Sequence, residues 1–148
     1  MRRIVTENGP DGRSRLLLAE EVMPFQKIWE SDASAWLGGD PAADGETLDF
    51  RPDSLSARLI EIPPDTVMAE YLAQGVPGLD AKGFHRTGTL DYVILLEGRL
   101  VLELDDGKVE VRPGDVVVQR DTNHAWRNPE ESPARCLCII SCPAETAA

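Results

Sequence analysis

Two histidines are the side chains of this sequence best suited to chemistry near neutral pH, because free imidazole has a pKa of about 6.5. They are the only two in 148 residues, His85 in HRTGTLDY (85–92) and His124 in NHAWRN (123–128). Each stretch is polar, carries an aromatic residue and adjoins an apolar run typical of a β-strand. A neutral imidazole binds divalent metals and also serves as a general acid or base.

The strand period of two places several polar side chains of each stretch on one face. The residues that share one parity are His85, Thr87, Thr89 and Asp91 in the first stretch, and His124, Trp126 and Asn128 in the second. If both stretches line one barrel, two imidazoles and a carboxylate converge there. Such a set, here His85, Asp91 and His124, is sufficient to hold Fe(II), Mn(II), Zn(II) or Ni(II) with open positions for a substrate.

The elements that must position these side chains are short strands separated by turns. In the second half they are YVILLEG, RLVLELDDG, KVEVRPGD, VVVQR, HAWRN and RCLCIIS. In the first half, 13–22, 25–31 and 55–65 are predicted strands, 35–54 a long loop and 68–74 a short helix stopped by Gly75. Strands at spacings of about 8–12 residues predict an all-β sandwich or small barrel, since a parallel α/β sheet needs longer helices between its strands.

The composition is that of an ordinary globular domain with an acidic surface, since 42% of the residues are hydrophobic and 28% are charged. Fifteen basic and 26 acidic residues give a net charge of -11, which argues against nucleic acids and anionic membranes as partners. We expect neither a signal peptide nor a membrane span. The three cysteines, Cys136, Cys138 and Cys142, are expected to be reduced thiols of a cytoplasmic protein, with Cys136 and Cys138 in the core.

The second half of the sequence resembles a cupin of the cupin 2 conserved barrel family, a double-stranded β-helix that forms a small jelly-roll-like barrel. The first cupin motif is matched by Gly83, His85, Asp91 and Gly98, and the second by Gly114, His124 and Asn128. HRTGTLDY is similar to the HRTxTxDY form of a bacterial and fungal group of small single-domain cupins. The resemblance spans residues 83–129 and implies one domain over 1–148, with an N-terminal β extension in 1–82 and the barrel motifs in 83–143.

Several positions depart from the cupin motifs. Thr87 stands where the second metal histidine is expected, and Asp91 replaces a glutamate that is one methylene longer. Gln119 and Asp121 replace a proline and a glycine in the turn before the second motif. A hydroxyl is a poor ligand for transition metals, so the four-ligand site of the family is reduced here.

The reduced ligand set leaves two alternatives open. One is a metal centre with His85, Asp91 and His124 as ligands. The other is a metal-free pocket in which Asp91 and Asn128 hold the two histidines by hydrogen bonds. In either case the pocket is expected to be lined by Thr87, Tyr92, Trp126 and Asn128.

The resemblance implies an enzyme that acts on a small organic molecule, because cupins include decarboxylases, dioxygenases, isomerases and dehydratases. We expect lyase or isomerase chemistry with His85 or His124 as the acid–base catalyst, and no nucleotide cofactor. The alternatives are a metal-free binding or sensor module and an Fe(II) dioxygenase. Because cupins commonly pair through strands of the N-terminal half, we also expect a homodimer formed through 14–31.

Overall fold

The computed structural model describes residues 2–21 and 52–143, which form two facing β-sheets and a helix. The strands are β1 (Arg2–Asn8), β2 (Ser14–Glu21), β3 (Ser54–Ile62), β4 (Leu90–Glu97), β5 (Leu100–Leu104), β6 (Gly107–Val111), β7 (Val116–Arg120), β8 (His124–Arg127) and β9 (Ala134–Cys142), and the helix α1 spans Asp65–Gln74. The predicted all-β fold of short strands is therefore confirmed.

The strands of each sheet are mostly distant in sequence. One sheet has the order β2-β1-β7-β4-β9-β3, and the other has the order β6-β5-β8. Neighbouring strands are antiparallel except β1 and β7, which pair in parallel with Ile4 opposite Val117. The hairpin of β5 and β6 closes at the predicted DDG turn. This arrangement of crossing antiparallel connections is that of a jelly-roll barrel.

The hydrophobic core lies between the two sheets and is filled by alternate residues of their strands. The inward residues of β5 and β9 are Leu100, Leu102 and Leu104, and Cys136, Cys138 and Ile140. Burying an aliphatic side chain of this kind contributes about 1.5–3 kcal/mol, so this row accounts for much of what holds the sheets together. Cys136 and Cys138 are buried free thiols, as predicted for small core residues.

Some parts of the chain differ from the sequence-based expectation, and others lie outside the residues that the structure describes. The stretch RRIVTEN, which turn and alternation signals do not mark as a strand, forms β1 with Ile4 and Val5 fully buried. The helix begins at Asp65 because the two prolines before it end β3, and Pro64 occupies the N-cap position. The predicted strand 25–31 and most of the predicted loop 35–54 lie outside the described residues, and Ser54 already belongs to β3.

Hydropathy adds one observation on the helical part of the fold. Within 2–21 and 52–143, no helix has the length and apolar character that crossing a membrane requires.

Candidate functional site

His85 and His124 lie side by side at the start of β8. Their main chains form an antiparallel bridge in which each amide N–H donates to the carbonyl oxygen of the other, at N···O distances of 2.9 and 3.0 Å. The ring centroids are 4.2 Å apart, with 49° between the ring planes. The predicted convergence of the two imidazoles is confirmed, and backbone hydrogen bonds hold the two residues together.

On the outer side of β8, contacts of Asp80 and Arg127 hold the segment that precedes His85. Asp80 Oδ1 accepts hydrogen bonds from the amides of Lys82 and Phe84, both at 2.8 Å. The Arg127 guanidinium donates to the Lys82 carbonyl oxygen at 2.7 Å and lies 5.6 Å from the centroid of the Phe84 ring. Arg127 therefore faces outward, as its parity predicts, and it fixes the entry of the chain into the site.

The tautomer of His124 is set by the backbone. Its Nδ1 atom lies 2.9 Å from the carbonyl oxygen of Thr122, so Nδ1 carries the proton and Nε2 keeps a lone pair. Burial, and then the neighbouring His85, lower the pKa of His124 to about 4. Burial also lowers the pKa of His85. Both imidazoles are therefore neutral at pH 7.

Asp91 lies on the inward face of β4, and the whole residue is only 8% exposed. Burial raises the pKa of Asp91 to about 6; a hydrogen bond from the Thr89 hydroxyl opposes this rise, and the negative charge of Asp121 adds to it. Gln119 lies directly opposite Asp91 in the register of β4 and β7. The atoms Asp91 Oδ1 and Gln119 Oε1 are both buried and have no hydrogen-bond partner within the described ranges. Two buried acceptors at neighbouring positions favour a ligand that brings hydrogen-bond donors.

A row of polar side chains runs through the barrel and includes these groups. Thr87 Oγ1 lies 2.6 Å from Thr89 Oγ1, and the Thr89 hydroxyl bonds to the Asp91 carboxyl group. Beyond Asp91, the side-chain amide of Gln119 donates to the hydroxyl of Thr122. The backbone carbonyl oxygen of Thr122 in turn accepts a hydrogen bond from Nδ1 of His124. This polar row consists of Thr87, Thr89, Asp91, Gln119, Thr122 and His124.

Gln119 and Thr122 are members that the motif comparison does not identify as site residues. Gln119 is fully buried in the otherwise apolar strand VVVQR and has the inward parity of Val117. A polar residue at an inward position of an apolar strand is the signal that identifies it, because a buried amide needs partners. Thr122 offers no comparable signal, since threonine is ordinary in a turn.

The residues present do not fit the predicted three-ligand metal centre. No three side chains of the described residues, taken from histidine, cysteine, aspartate and glutamate, are grouped so that they hold a metal ion. His85 and His124 meet on the three-stranded sheet, whereas Asp91 belongs to the six-stranded sheet. Aspartate is also one methylene shorter than the glutamate of the cupin motif, which reduces its reach.

The predicted support of the histidines by Asn128 is wrong. The Asn128 side-chain amide donates to the carbonyl oxygens of Ile62 at 3.0 Å and Ser132 at 2.9 Å, and its Oδ1 accepts from the Glu130 amide. Asn128 is therefore a buried structural residue that ties the end of β3 to the loop before β9. The hydrogen bond that orients the His124 ring is instead donated by its Nδ1–H group to the backbone carbonyl oxygen of Thr122.

The other predicted pocket residues divide between the two faces of their strands. Trp126 packs against the core and meets the His124 ring edge-on, with 6.1 Å between centroids and 84° between planes. Thr87 is half-buried and belongs to the polar row. Tyr92 has the parity opposite to Asp91 and therefore lies on the outer face of β4, away from the histidines.

Comparisons with known proteins agree with this architecture. Residues 75–140 match the family described as Cupin domain. Oryzines biosynthesis cluster protein J of Aspergillus oryzae is 36% identical over 108 residues, which make up 70% of this chain and 59% of that protein. The cupin-domain-containing oxidoreductase fogC of Aspergillus ruber is 43% identical over 68 residues, which make up 43% of this chain and 33% of that protein.

One solved structure in the comparison is a sugar phosphate isomerase from a cupin superfamily of Silicibacter pomeroyi. It is 20% identical, with a TM-score of 0.43 over 95% of this chain and 70% of that chain. The chain spans less than two thirds of the length of both curated relatives, the Aspergillus oryzae and Aspergillus ruber proteins. With both histidine motifs inside the matched residues 75–140 and the strands arranged in two facing sheets, this part of the chain belongs to the cupin family.

Proposed function

We propose that this chain is an enzyme that moves a proton on a small organic molecule held between the two sheets. The reaction class is a lyase reaction, such as decarboxylation or dehydration, or an isomerisation. The observation that carries the proposal is a pair of neutral imidazoles in one barrel with a buried carboxyl group of pKa about 6. Acid–base catalysis is most effective when the pKa of the catalytic group lies near the operating pH.

Asp91 is the residue to which this proposal assigns the proton transfer. With a pKa of about 6 it is mostly ionised at pH 7, so it accepts a proton from the substrate and can return it. Its buried Oδ1 atom, which has no hydrogen-bond partner in the described part of the chain, is the accepting atom. The pKa of His124, about 4, is too low for an effective base at pH 7, and burial lowers the pKa of His85 as well. This proposal therefore assigns to the carboxyl group the role that the sequence predicts for the imidazoles.

His85 and His124 bind and orient the substrate in this proposal. The Nε2 lone pair of His124 accepts a hydrogen bond from a substrate hydroxyl, because Nδ1 is committed to Thr122. The buried Nδ1 atom of His85 has no hydrogen-bond partner among residues 2–21 and 52–143. Both rings together favour substrates that carry hydroxyl or enol groups next to the reacting carbon.

Proton exchange with solvent tests the proposal before the natural substrate is known. The protein is incubated in D₂O with β-keto acids, 2-hydroxy acids and enolisable ketones, and deuterium incorporation is measured by NMR. We expect Asp91→Asn to lower the incorporation rate at least about 100-fold, the lower range for loss of an acid–base group. The matched control is Asp106→Asn, which changes an exposed aspartate in the hairpin turn and is expected to leave the rate unchanged.

Equal rates for the wild-type protein and Asp91→Asn would contradict the assignment of the proton transfer. Saturable binding of one of these compounds with no incorporation and no product would favour a second candidate, a binding or sensor module. That candidate is supported by Thr87, which stands at a metal-ligand position of the cupin motif and is hydrogen-bonded to Thr89.

A third candidate is an oxidoreductase that uses Fe(II) and dioxygen. The similarity to fogC, named a cupin-domain-containing oxidoreductase, favours an oxidoreductase in general and does not specify the metal or the oxidant. This candidate needs ligands beyond the two adjacent imidazoles. Its test is metal analysis after addition of Fe(II), Mn(II), Zn(II) or Ni(II). Stoichiometric uptake that His124→Ala abolishes would support it, and low uptake of every metal, unchanged in His124→Ala, would exclude it.

The compartment is also a proposal. Cys136 and Cys138 are buried thiols that form no disulfide bond within the described residues, which favours a reducing compartment such as the cytoplasm. Fractionation of the native cells that placed the protein in an oxidising compartment would contradict this.

A further inference from the structure

The turn between β7 and β8 contains a residue in a backbone conformation that glycine usually adopts. Asp121 has a φ of 49°, in the left-handed region, which is uncommon for a residue with a Cβ atom. Aspartate tolerates this conformation better than most residues because its short polar side chain bonds locally. Asp121 is also the residue that replaces the glycine of the cupin turn. The turn therefore keeps the glycine conformation and gains a carboxylate.

The added carboxylate binds the segment that follows His85. Asp121 Oδ1 accepts hydrogen bonds from the Gly88 amide at 2.9 Å and from Arg86 Nε at 2.8 Å, and Oδ2 accepts from the Arg86 Nη2 atom. The main chain adds a further link, since the Asp121 amide donates to the Thr89 carbonyl oxygen at 2.9 Å. Three positions of the first motif, 86, 88 and 89, are thus bonded to one residue of the second.

We propose that Asp121 is a positioning residue of the site: its carboxylate fastens the segment 86–89 to the β7–β8 turn and so holds Thr87 and Thr89 in line with Asp91. The proposal rests on the proposed function, in which the Asp91 end of the polar row transfers the proton. It assigns to Asp121 no contact with the substrate.

The hydrogen bond from the Gly88 backbone amide contributes most to holding the segment 86–89 at this turn. The side chains of Arg86 and Asp121 are 54% and 37% exposed, so their ion pair is screened by water and contributes little by itself. The bond from the Gly88 amide to a charged oxygen is stronger, because charge-assisted hydrogen bonds exceed neutral ones. Gly88 has a φ of 69° and no side chain of its own, so the carboxylate is what restrains it.

Asp121→Gly is a selective test, because the backbone conformation at this position suits glycine and the variant removes only the carboxylate. Amide hydrogen exchange of the free protein is followed by NMR. We expect the Gly88 amide to exchange at least about tenfold faster, the factor for loss of one charge-assisted hydrogen bond. The amide N–H groups of His85 and His124, each of which donates to the carbonyl oxygen of the other residue, are an internal control and keep their protection.

Two further variants separate the parts of the contact. Arg86→Gln removes the ion pair and leaves the bond to Gly88, so its effect on Gly88 exchange is smaller than that of Asp121→Gly. Asp121→Asn keeps an acceptor oxygen and is expected to restore part of the protection. The matched control is Arg99→Gln, which removes another exposed ion pair, to Glu130, far from this turn in sequence.

Catalysis supplies the readout that a purely structural role would not change. Deuterium incorporation should fall in Asp121→Gly through kcat more than through KM, and Asp121→Asn should recover part of it. Unchanged Gly88 exchange in Asp121→Gly would overturn the proposal. Faster exchange with unchanged incorporation would also overturn it, and the proposed function would stand.

The absence of incorporation by the wild-type protein would instead refute the proposed function. The positioning role is then judged by the χ1 couplings of Thr87 and Thr89. Averaged couplings in Asp121→Gly would support the role, and couplings equal to those of the wild-type protein would overturn it.

Discussion

Burial acts with opposite sign on the two kinds of ionisable side chain inside this barrel. It raises the pKa of Asp91 from 3.8 to about 6 and lowers that of His124 from 6.5 to about 4, because each group is driven toward its neutral form. The two titrations therefore overlap in pH and contribute to stability in opposite directions. A substitution that removes one of the two titrations therefore reveals how the other changes the unfolding free energy with pH.

Asp91→Asn should stabilise the fold at neutral pH. A folded-state pKa above the unfolded one means that ionisation of Asp91 costs stability as the pH rises from about 4 to about 6. The asparagine removes this cost, so we expect an increase in the free energy of unfolding of about 2–3 kcal/mol at pH 7 and almost none at pH 3.5. Urea denaturation at the two pH values measures it. A variant less stable than the wild-type protein at pH 7 would contradict the raised pKa.

The same variant should reveal the titration of His124. The depressed pKa of His124 means that stability is lost as the pH falls from about 6.5 to about 4, which Asp91 offsets in the wild-type protein. We therefore expect the unfolding free energy of Asp91→Asn to fall more steeply than that of the wild-type protein over this interval. Adding His124→Gln should remove the extra slope. Parallel curves for the wild-type protein and Asp91→Asn would argue against the opposed titrations.

Thr89→Val tests the hydroxyl that bonds to Asp91. The hydrogen bond from Thr89 lowers the pKa of Asp91, so its loss should raise that pKa further above 6. The ¹³C shift of the Asp91 carboxyl carbon, followed against pH, measures the change. Thr87→Val is the matched control, because Thr87 reaches Asp91 only through Thr89 and should shift the titration less.

At the scale of elements, the turn between β4 and β5 depends on a glycine for two separate reasons. Gly98 has a φ of 88°, and a Cβ atom there would lie 3.0 Å from the Cβ atom and 3.1 Å from the Cα atom of Ala134 at the start of β9. Ala134 is itself fully buried, so neither side of this contact has room to move.

Gly98→Ala should destabilise the protein by about 2–4 kcal/mol, through the left-handed backbone and the close contact together. Thermal unfolding measures the loss. Gly107→Ala is the matched control, because Gly107 has no positive φ and a Cβ atom there would meet open space, so the stability should change little. Equal losses in the two variants would show that the approach of Ala134 is unimportant.

Sequence patterns predict the strands that carry alternating apolar residues. They fail for a strand whose burial depends on pairing with a strand distant in sequence. The run from β4 to β9 is predictable because its inward residues alternate and its turns carry glycine. β1 is not, since RRIVTEN begins with two arginines and ends with polar residues, and its burial comes from pairing with the distant β7. Local pattern contains no information on such a partner.

The site shows the same division. The approach of His85 to His124 is implied by the resemblance of the two motifs to those of cupins. The placement of Asp91 on the other sheet is not predicted, because parity defines the face of a strand and not the distance across the barrel. The role of Gln119 depends on its register opposite Asp91, which only the assembled sheet determines.

At the scale of the whole molecule, we propose a homodimer that uses the edge strand β2. Leu16 and Leu17 of β2 are each 42% exposed, and among the described strands β2 lies at the edge of its sheet, where backbone groups can pair with a second chain. The rest of the predicted contact, 22–31, lies outside the described residues. Light scattering at micromolar concentration should give twice the mass of one chain, and Leu17→Glu should reduce it. A single-chain mass for the wild-type protein would contradict the dimer.

The connection from His85 to Leu90 joins the two sheets of the barrel. His85 bonds to the three-stranded sheet at its bridge with His124, and Leu90 opens β4 in the six-stranded sheet. Any breathing motion that separates the sheets must stretch this connection or break the bridge. The exchange rates of the two bridge amide protons therefore report on opening of the barrel. If hydrostatic pressure or a bulky ligand separates the sheets, these two protons should exchange faster before the rest of the fold unfolds.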